Sequence, residues 1–298
     1  MAVEPPLRPR PSRGRIWVRR VVAIGVLALV LAAVAGAVVF AIHRHESKPA
    51  PVVALPPPPK PLKIIFPEGF TVAQMAQRIA AVDRIARRKR HIRPQLKASQ
   101  YLKLTTNAKF PAGFGHRRGK LEGVMFPALY DFLGKTKTKK LVTDQLTAFA
   151  RNWKKLDLAY AKSKHLTPYD VLIIASMIEK EAQAPEERKL VASVIYNRLK
   201  AGMPLGLDAT IRYGLNVPGT EPLHESQLAS DTPYNTRKFR GLPPTPIANP
   251  GLASIEAAAH PAKVDYLYFV RKPDCRSHFF TASNEEFLNY TRQGLTNC

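Results

Sequence analysis

Two glutamates, Glu179 and Glu181, close the apolar run Leu172-Ile173-Ile174-Ala175-Ser176-Met177-Ile178. A carboxyl group set behind hydrophobic turns is a candidate proton donor. Desolvation disfavours the anion and can move a glutamate from about 4.3 toward roughly 6, where a general acid operates. On a helix at about 100° per residue the two side chains point roughly 200° apart, so they cannot serve one cleft together. Glu181 follows Ile178, Met177 and Ile174 at helical spacing, whereas Glu179 follows Ser176, Ala175 and Leu172, a smaller and more polar stripe. The spacing favours Glu181 as the drier acid, with solvated helix-end charges as the alternative for both.

Polar side chains that could surround a substrate cluster downstream. Leu207-Asp208-Ala209-Thr210, Tyr213-Gly214, Thr232-Pro233-Tyr234-Asn235-Thr236 and the stretch from Gly241 to Gly251, which contains Asn249, read as loops. Proline lowers the freedom of the unfolded chain, so such loops can hold Tyr and Asn groups preorganised; plain structural turns are the alternative for each. No His/Glu grouping has metal-ligand spacing, and no phosphate-binding loop or dinucleotide fingerprint occurs, so neither metal nor cofactor is expected. Cys275 and Cys298 are too few for a metal cage and fit a disulfide or free thiols equally.

The elements that must position these groups are partly legible. Thr167-Pro168 supplies an N-cap and a first-turn proline, and Asp170 a capping-box acid, so a helix is expected from Pro168 to Ala182. Pro185-Glu186-Glu187 opens a second helix with Leu190, Val191, Val194, Ile195 and Leu199 as its apolar face, ended by Gly202. The pair forms a helical hairpin with Glu181 near its connection. Upstream, Lys63 to Phe66 is β-prone, Thr71 caps a helix from Val72 to Ile85, and an amphipathic helix runs from Leu141 to Trp153. Tyr266 to Val270 reads as a buried strand.

The N-terminal part is of a different kind. No charge interrupts Val21 to Ile42, a length that spans a hydrocarbon core of about 30 Å. Arg8, Arg10, Arg13, Arg15, Arg19 and Arg20 precede it, against Arg44 and Lys48 after it, so the N-terminus is expected in the cytosol as a basic tail over residues 1–20. An uncleaved anchor over 21–42 is preferred to a signal peptide because the span exceeds a typical signal core. Residues 43–62 include KPAPVVALPPPPKP, a semi-rigid spacer by its fixed φ angles. The formal net charge is +24, and Arg84, Arg87, Arg88, Lys89, Arg90, Arg93 and Lys97 crowd one segment. On an exported domain such a run points to anionic lipid or acidic wall polymer and away from nucleic acid.

Taken together, IIASMIEKEA, VASVIYNRLKAGMPLGLDATIRYG, DTPYNT, GLPPTPIANPG, AAAHPAK and DYLYFV, in that order, resemble the YceG-like endolytic murein transglycosylases, with agreement over about Ile64 to Tyr290. The resemblance implies an α+β protein with a single transmembrane helix, a Pro-rich linker, a small LysM-like module over 63–120 and a mixed catalytic domain over 121–298 whose helical hairpin carries the catalytic Glu. It implies lytic cleavage of the MurNAc–GlcNAc bond of nascent glycan strands at the cell membrane, with peptidoglycan synthases or divisome or elongasome proteins as partners. The second Glu of the E-K-E triplet, Glu181, corresponds to the catalytic acid; Asp208 and Thr210 fall in L-x-x-D-x-T, Tyr234 and Asn235 in Y-N-T, and Asn249 in the loop that closes on Gly251. The sequence departs from the family at Gly206, before Leu207, and at Pro127-Ala128-Leu129-Tyr130, where P-D-T-Y is usual. A noncatalytic wall-binding scaffold and a hydrolytic muramidase are the alternatives.

Overall fold

The computed structural model describes residues 13–44 and 60–294, which fall into two compact units divided between Pro58 and Pro59. The first holds one helix, α1 (Arg13–Arg44), whose described side chains from Trp17 onward are all exposed although its hydropathy is that of a membrane span. The uniformity matters: a helix apolar on every side has no polar face to present to water. Most of the spacer and Cys298, and with it the choice between a disulfide and free thiols, lie outside the described residues.

The second unit is α+β. In chain order it contains β1 (Leu62–Ile65), α2 (Val72–Arg90), α3 (Ala98–Thr106), β2 (Ala108–Lys109), β3 (Arg118–Gly119), β4 (Leu129–Phe132), α4 (Thr138–Trp153), α5 (Ala159–Ser163), α6 (Pro168–Glu181), a 3₁₀ turn (Pro185–Glu187), α7 (Arg188–Lys200), α8 (Asp208–Leu215), α9 (Glu225–Leu228), α10 (Leu252–Ala259), β5 (Tyr268–Arg271), β6 (His278–Thr281) and α11 (Asn284–Arg292). The described strands form two-stranded antiparallel sheets, β1 with β4, β2 with β3 and β5 with β6. Leu62 lies opposite Phe132 and Ile64 opposite Tyr130, so alternate residues of β1 turn inward. One apolar core runs through the unit, from Leu62 and Phe66 through Tyr101, Leu141 and Leu172 to Ile255 and Ala258.

Helix α6 starts as expected. Thr167 Oγ1 accepts from Asp170 N at 3.2 Å while Asp170 Oδ2 accepts from Thr167 N at 2.8 Å, a reciprocal capping box ahead of a first-turn proline. Val171 through Ile178 are all buried, so this is a central helix wrapped on every side, packed against α7, α8 and α10. That corrects the expected contrast of stripes: Ser176, Ala175 and Leu172 are as dry as Ile178, Met177 and Ile174.

Other boundaries shift for identifiable reasons. Helix α2 continues past Ile85 to Arg90 and ends on His91 in the left-handed conformation, φ 52°. The stretch from Asp208 to Gly214, read as loop, is helix α8, closed by Asn216 at φ 55°. The strand near Tyr266 begins at Tyr268 and is half-buried, one face being covered by the short helix α11. Helix α10, which ends within AAAH, had no separate sequence expectation; it follows Gly251 with no side-chain cap, so its helicity comes from packing on α6.

Candidate active site at the end of helix α6

Helix α6 ends on the acid. Glu181 is its last residue and Ala182 turns to extended backbone, so the Glu181 side chain leaves the core where the chain changes direction. It retains partial access to solvent while protein atoms crowd its carboxyl group. Burial, with the Asp208 charge adding to it, pushes Glu181 up to about 7; Arg271, a hydrogen bond from the Ala209 N–H and Lys180 pull the other way. The end of α6 and the first turn of α8 thus meet at one carboxyl, and Arg271, the last residue of β5, acts on it through its charge.

The first turn of α8 is held from below. Gly206, at φ 65°, donates its N–H to the Thr236 carbonyl at 2.9 Å, and Leu207 N donates to Thr236 Oγ1 at 3.0 Å. Thr210 Oγ1 lies 2.6 Å from the Leu207 carbonyl, to which it donates, and 2.9 Å from Thr236 Oγ1. Glycine is used at 206 because the left-handed turn there is costly for a side chain. Asp208 pairs with Arg237 at 2.7 Å, with both side chains nearly half exposed. Asp208 therefore faces the solvent mouth while Ala209 N–H faces Glu181.

The third wall depends on residues not singled out in the sequence. Arg198, on α7, donates through Nε to the Leu267 carbonyl and through Nη1 to the Leu205 carbonyl, each at 2.6 Å. One guanidinium therefore ties the segment that precedes Asp208 to the segment that leads into β5 and Arg271. Asn197 Nδ2 adds bonds to the carbonyls of Val264 and Tyr266 at 3.0 and 2.9 Å. On the far strand, Glu187 accepts from His278 N at 2.7 Å and lies 2.7 Å from His278 Nδ1, so this first-turn acid anchors β6 from the 3₁₀ turn. The signal was present in YNR, but Val264, Tyr266 and Leu267, which it holds, are some seventy residues away in sequence.

The other expected site residues separate into groups. Tyr234 Oη lies 2.7 Å from Thr245 Oγ1 and its ring meets Tyr213 edge-on at 5.1 Å, leaving it half-buried. Asn235 is fully buried; its Nδ2 donates to the carbonyls of Leu228 and Ser230 and its Oδ1 accepts from Arg237 N. Asn249 is also fully buried; Oδ1 accepts from Gly123 N and Met125 N, and Nδ2 donates to the Phe70 carbonyl and Glu122 Oε1, all at 2.9 Å. The side-chain polar atoms of Asn235 and Asn249, like the Thr210 hydroxyl, thus bond to the protein itself.

Glu179 points elsewhere, toward the loop before α10, where its Oε2 accepts from Gly251 N at 3.0 Å. Glu68, from the segment after β1, packs against the same glycine so closely that a Cβ at position 251 would lie 1.9 Å from its carboxyl oxygen. Burial and the Glu179 charge raise the Glu68 carboxyl, with Arg188 opposing. Glu122 is a further buried acid: it accepts from Val72 N at 2.8 Å and from Lys120 and Tyr213 at 3.0 and 3.1 Å. Burial raises it too, but no part of its surface reaches solvent, so it acts as a bracket between α2, α8 and Asn249. Among the described residues, no group of three or more His, Cys, Asp or Glu side chains is arranged to hold a metal ion.

The chain is similar to known proteins over most of its length. Proteins named endolytic murein transglycosylase from Streptococcus pneumoniae and Bacillus subtilis are each 34% identical to the chain, over 228 and 218 residues and 70% of its length. The chain spans 40% and 59% of the lengths of those relatives. The crystal structure of a YceG-like protein from Listeria monocytogenes superposes with a TM-score of 0.62 at 31% identity, covering 78% of this chain and 76% of that one. The model of the YceG-like family matches residues 32–293, from within α1 through α11 and so across every element that meets at Glu181; the chain belongs to the YceG-like family.

Proposed function

We propose that the protein is a membrane-anchored lytic transglycosylase of peptidoglycan, with Glu181 as its acid and base. The observation that carries this is the Glu181 carboxyl, raised to about 7 at the partly open junction of α6 and α8. A group of that kind is protonated for a useful fraction of the time at neutral pH and can give up the proton on demand. The names of the curated relatives and the family membership support the same chemistry.

The reaction proceeds in two proton transfers. Glu181 protonates the oxygen between N-acetylmuramic acid and N-acetylglucosamine, the C1–O bond breaks, and positive charge develops at the muramoyl anomeric carbon. The ionised Glu181 then takes the proton of the C6 hydroxyl, O6 attacks C1, and the 1,6-anhydro ring closes without water. Glu181 ends as it began. Ala209 N–H stabilises the ionised form between the two transfers, and Asp208, held by Arg237, keeps that form from being too stable. Tyr234 stands in the substrate cleft, while Thr210, Asn235 and Asn249 position its walls. The chain crosses the cell membrane once through residues 21–42, with 1–20 cytoplasmic and 43–62 as spacer. Residues 63–120, LysM-like, hold the glycan strand for a catalytic region over 121–298, and the wall synthases are its partners.

The test is digestion of glycan strands by the full-length protein in detergent, with mass spectrometry of the ends. Anhydro-muramoyl ends are expected, and none from Glu181→Gln with an unchanged circular dichroism spectrum. Glu179→Gln keeps an acceptor for Gly251 N and retains most activity. Undiminished release by Glu181→Gln would sink the assignment. Reducing ends in place of anhydro ends would instead make the protein a muramidase, with Asp208 the candidate second carboxylate.

A further inference from the structure

The exposed cations of α2 form a surface that the site does not use. Arg84, Arg87, Arg88, Lys89 and Arg90 are exposed in its last two turns, and Arg93 continues the patch beyond the helix. Asp83 is the acid nearest to them in sequence, and it is taken by Arg87 at 2.8 Å. Cations at a helix C-terminus are favoured by the macrodipole, but that effect fades within a turn. Arg84 and Arg88 stand at i and i+4, where like charges cost a helix a few tenths of a kcal/mol per pair. A row of this kind is tolerated at a cost that an external anion would remove.

Two placements identify the anion. Arg90 Nη1 donates to the Pro61 carbonyl at 3.3 Å, so the basic end of α2 sits beside the point where the chain arriving from α1 enters this unit. The chain between Arg44 and Pro61 can extend at most about 60 Å, which keeps that end within reach of whatever surface α1 occupies. Ile85, between Arg84 and the buried Ala86, is 56% exposed, an apolar group that a lipid interface accepts and a hydrated polyanion does not. We infer that the C-terminal half of α2 is a second membrane contact, docking on anionic phospholipid headgroups of the bilayer that α1 spans. The inference rests on reading α1 as a membrane span.

The full chain reconstituted into vesicles of phosphatidylcholine, alone or mixed with phosphatidylglycerol, tests it by amide hydrogen exchange. Exchange over residues 84–93 slows on the order of tenfold on the anionic vesicles relative to the neutral ones. High salt abolishes the difference, as does Arg84→Gln/Arg88→Gln/Lys89→Gln, while exchange in Leu172 to Ile178 reports that this variant is folded. Equal exchange on both vesicles, in a chain that resists alkaline extraction, overturns the docking and leaves the anchor standing. Release of the chain by alkaline carbonate overturns the anchor and the docking with it. Slowing caused by added teichoic acid, but not by anionic vesicles, overturns the inference in favour of a wall polymer.

Discussion

The ionisation of Glu181 is a balance between neighbours that can be removed one at a time. Burial and the Asp208 charge hold its proton on, whereas Arg271 and the Ala209 N–H favour its loss. In the proposed reaction the acid form acts in the first step, so kcat/KM for release of anhydro ends is expected to fall as pH rises through about 7. Asp208→Asn removes a like charge and moves that alkaline limb to lower pH. Arg271→Gln removes an opposing charge and moves it to higher pH. The two limbs shift in opposite directions, and pH profiles of the two variants read this directly. Limbs that do not move, or move the same way, would separate Glu181 from both neighbours. At this scale the sequence identified the residue type and the triplet. The reason it supplied for preferring Glu181, a drier stripe, does not hold in a helix buried all round. The two acids differ in what each faces, and Arg271 lies ninety residues downstream, beyond the reach of any local pattern.

Helix α6 can aim its last residue only if the segments around it keep their register. Asn249 is the junction of three of them: the Gly69-Phe70 turn, the Gly123–Met125 segment and the loop before α10. Asn249→Ala would strand two backbone donors, Gly123 N and Met125 N, in a dry interior and would take one of two donors from the Phe70 carbonyl and one from Glu122 Oε1. That loss is worth about 3 kcal/mol or more, seen as a large fall in the thermal midpoint. Thr167→Ala removes only the cap of α6 and costs about 1 kcal/mol, with activity retained below the new midpoint. Equal destabilisation by the two variants would contradict this ranking. The same contrast explains which elements were legible. α6 announces itself through Thr167, Pro168 and Asp170, all within one turn. α8 and α10 follow Leu207 and Gly251, neither of which supplies a side-chain cap, and are helical because Thr236 and α6 hold them. Tertiary contact decided those elements, so single-sequence signals read the first as loop.

At the scale of the whole molecule, a single apolar helix and a basic second unit share one chain. Every described side chain of α1 from Trp17 to Arg44 is exposed, and residues 21–42 offer no polar face on which the helix could lie along a membrane surface. A spanning arrangement buries all of these faces in lipid, which a surface arrangement cannot do. The proposed orientation rests on cations near the ends: six arginines from Arg8 to Arg20 precede residues 21–42, against Arg44 and Lys48 shortly after them. Moving the arginine-rich tail outward would work against that bias, whereas a domain as long as the second unit would cross largely regardless of its charge. Protease added to intact spheroplasts should therefore degrade the unit that begins at Pro59 and leave a small fragment carrying an epitope fused to the N-terminus. Permeabilisation should then expose the epitope as well. Digestion of the large unit only after permeabilisation would invert the topology, place Glu181 on the side without glycan strands, and remove the basis for the proposed reaction.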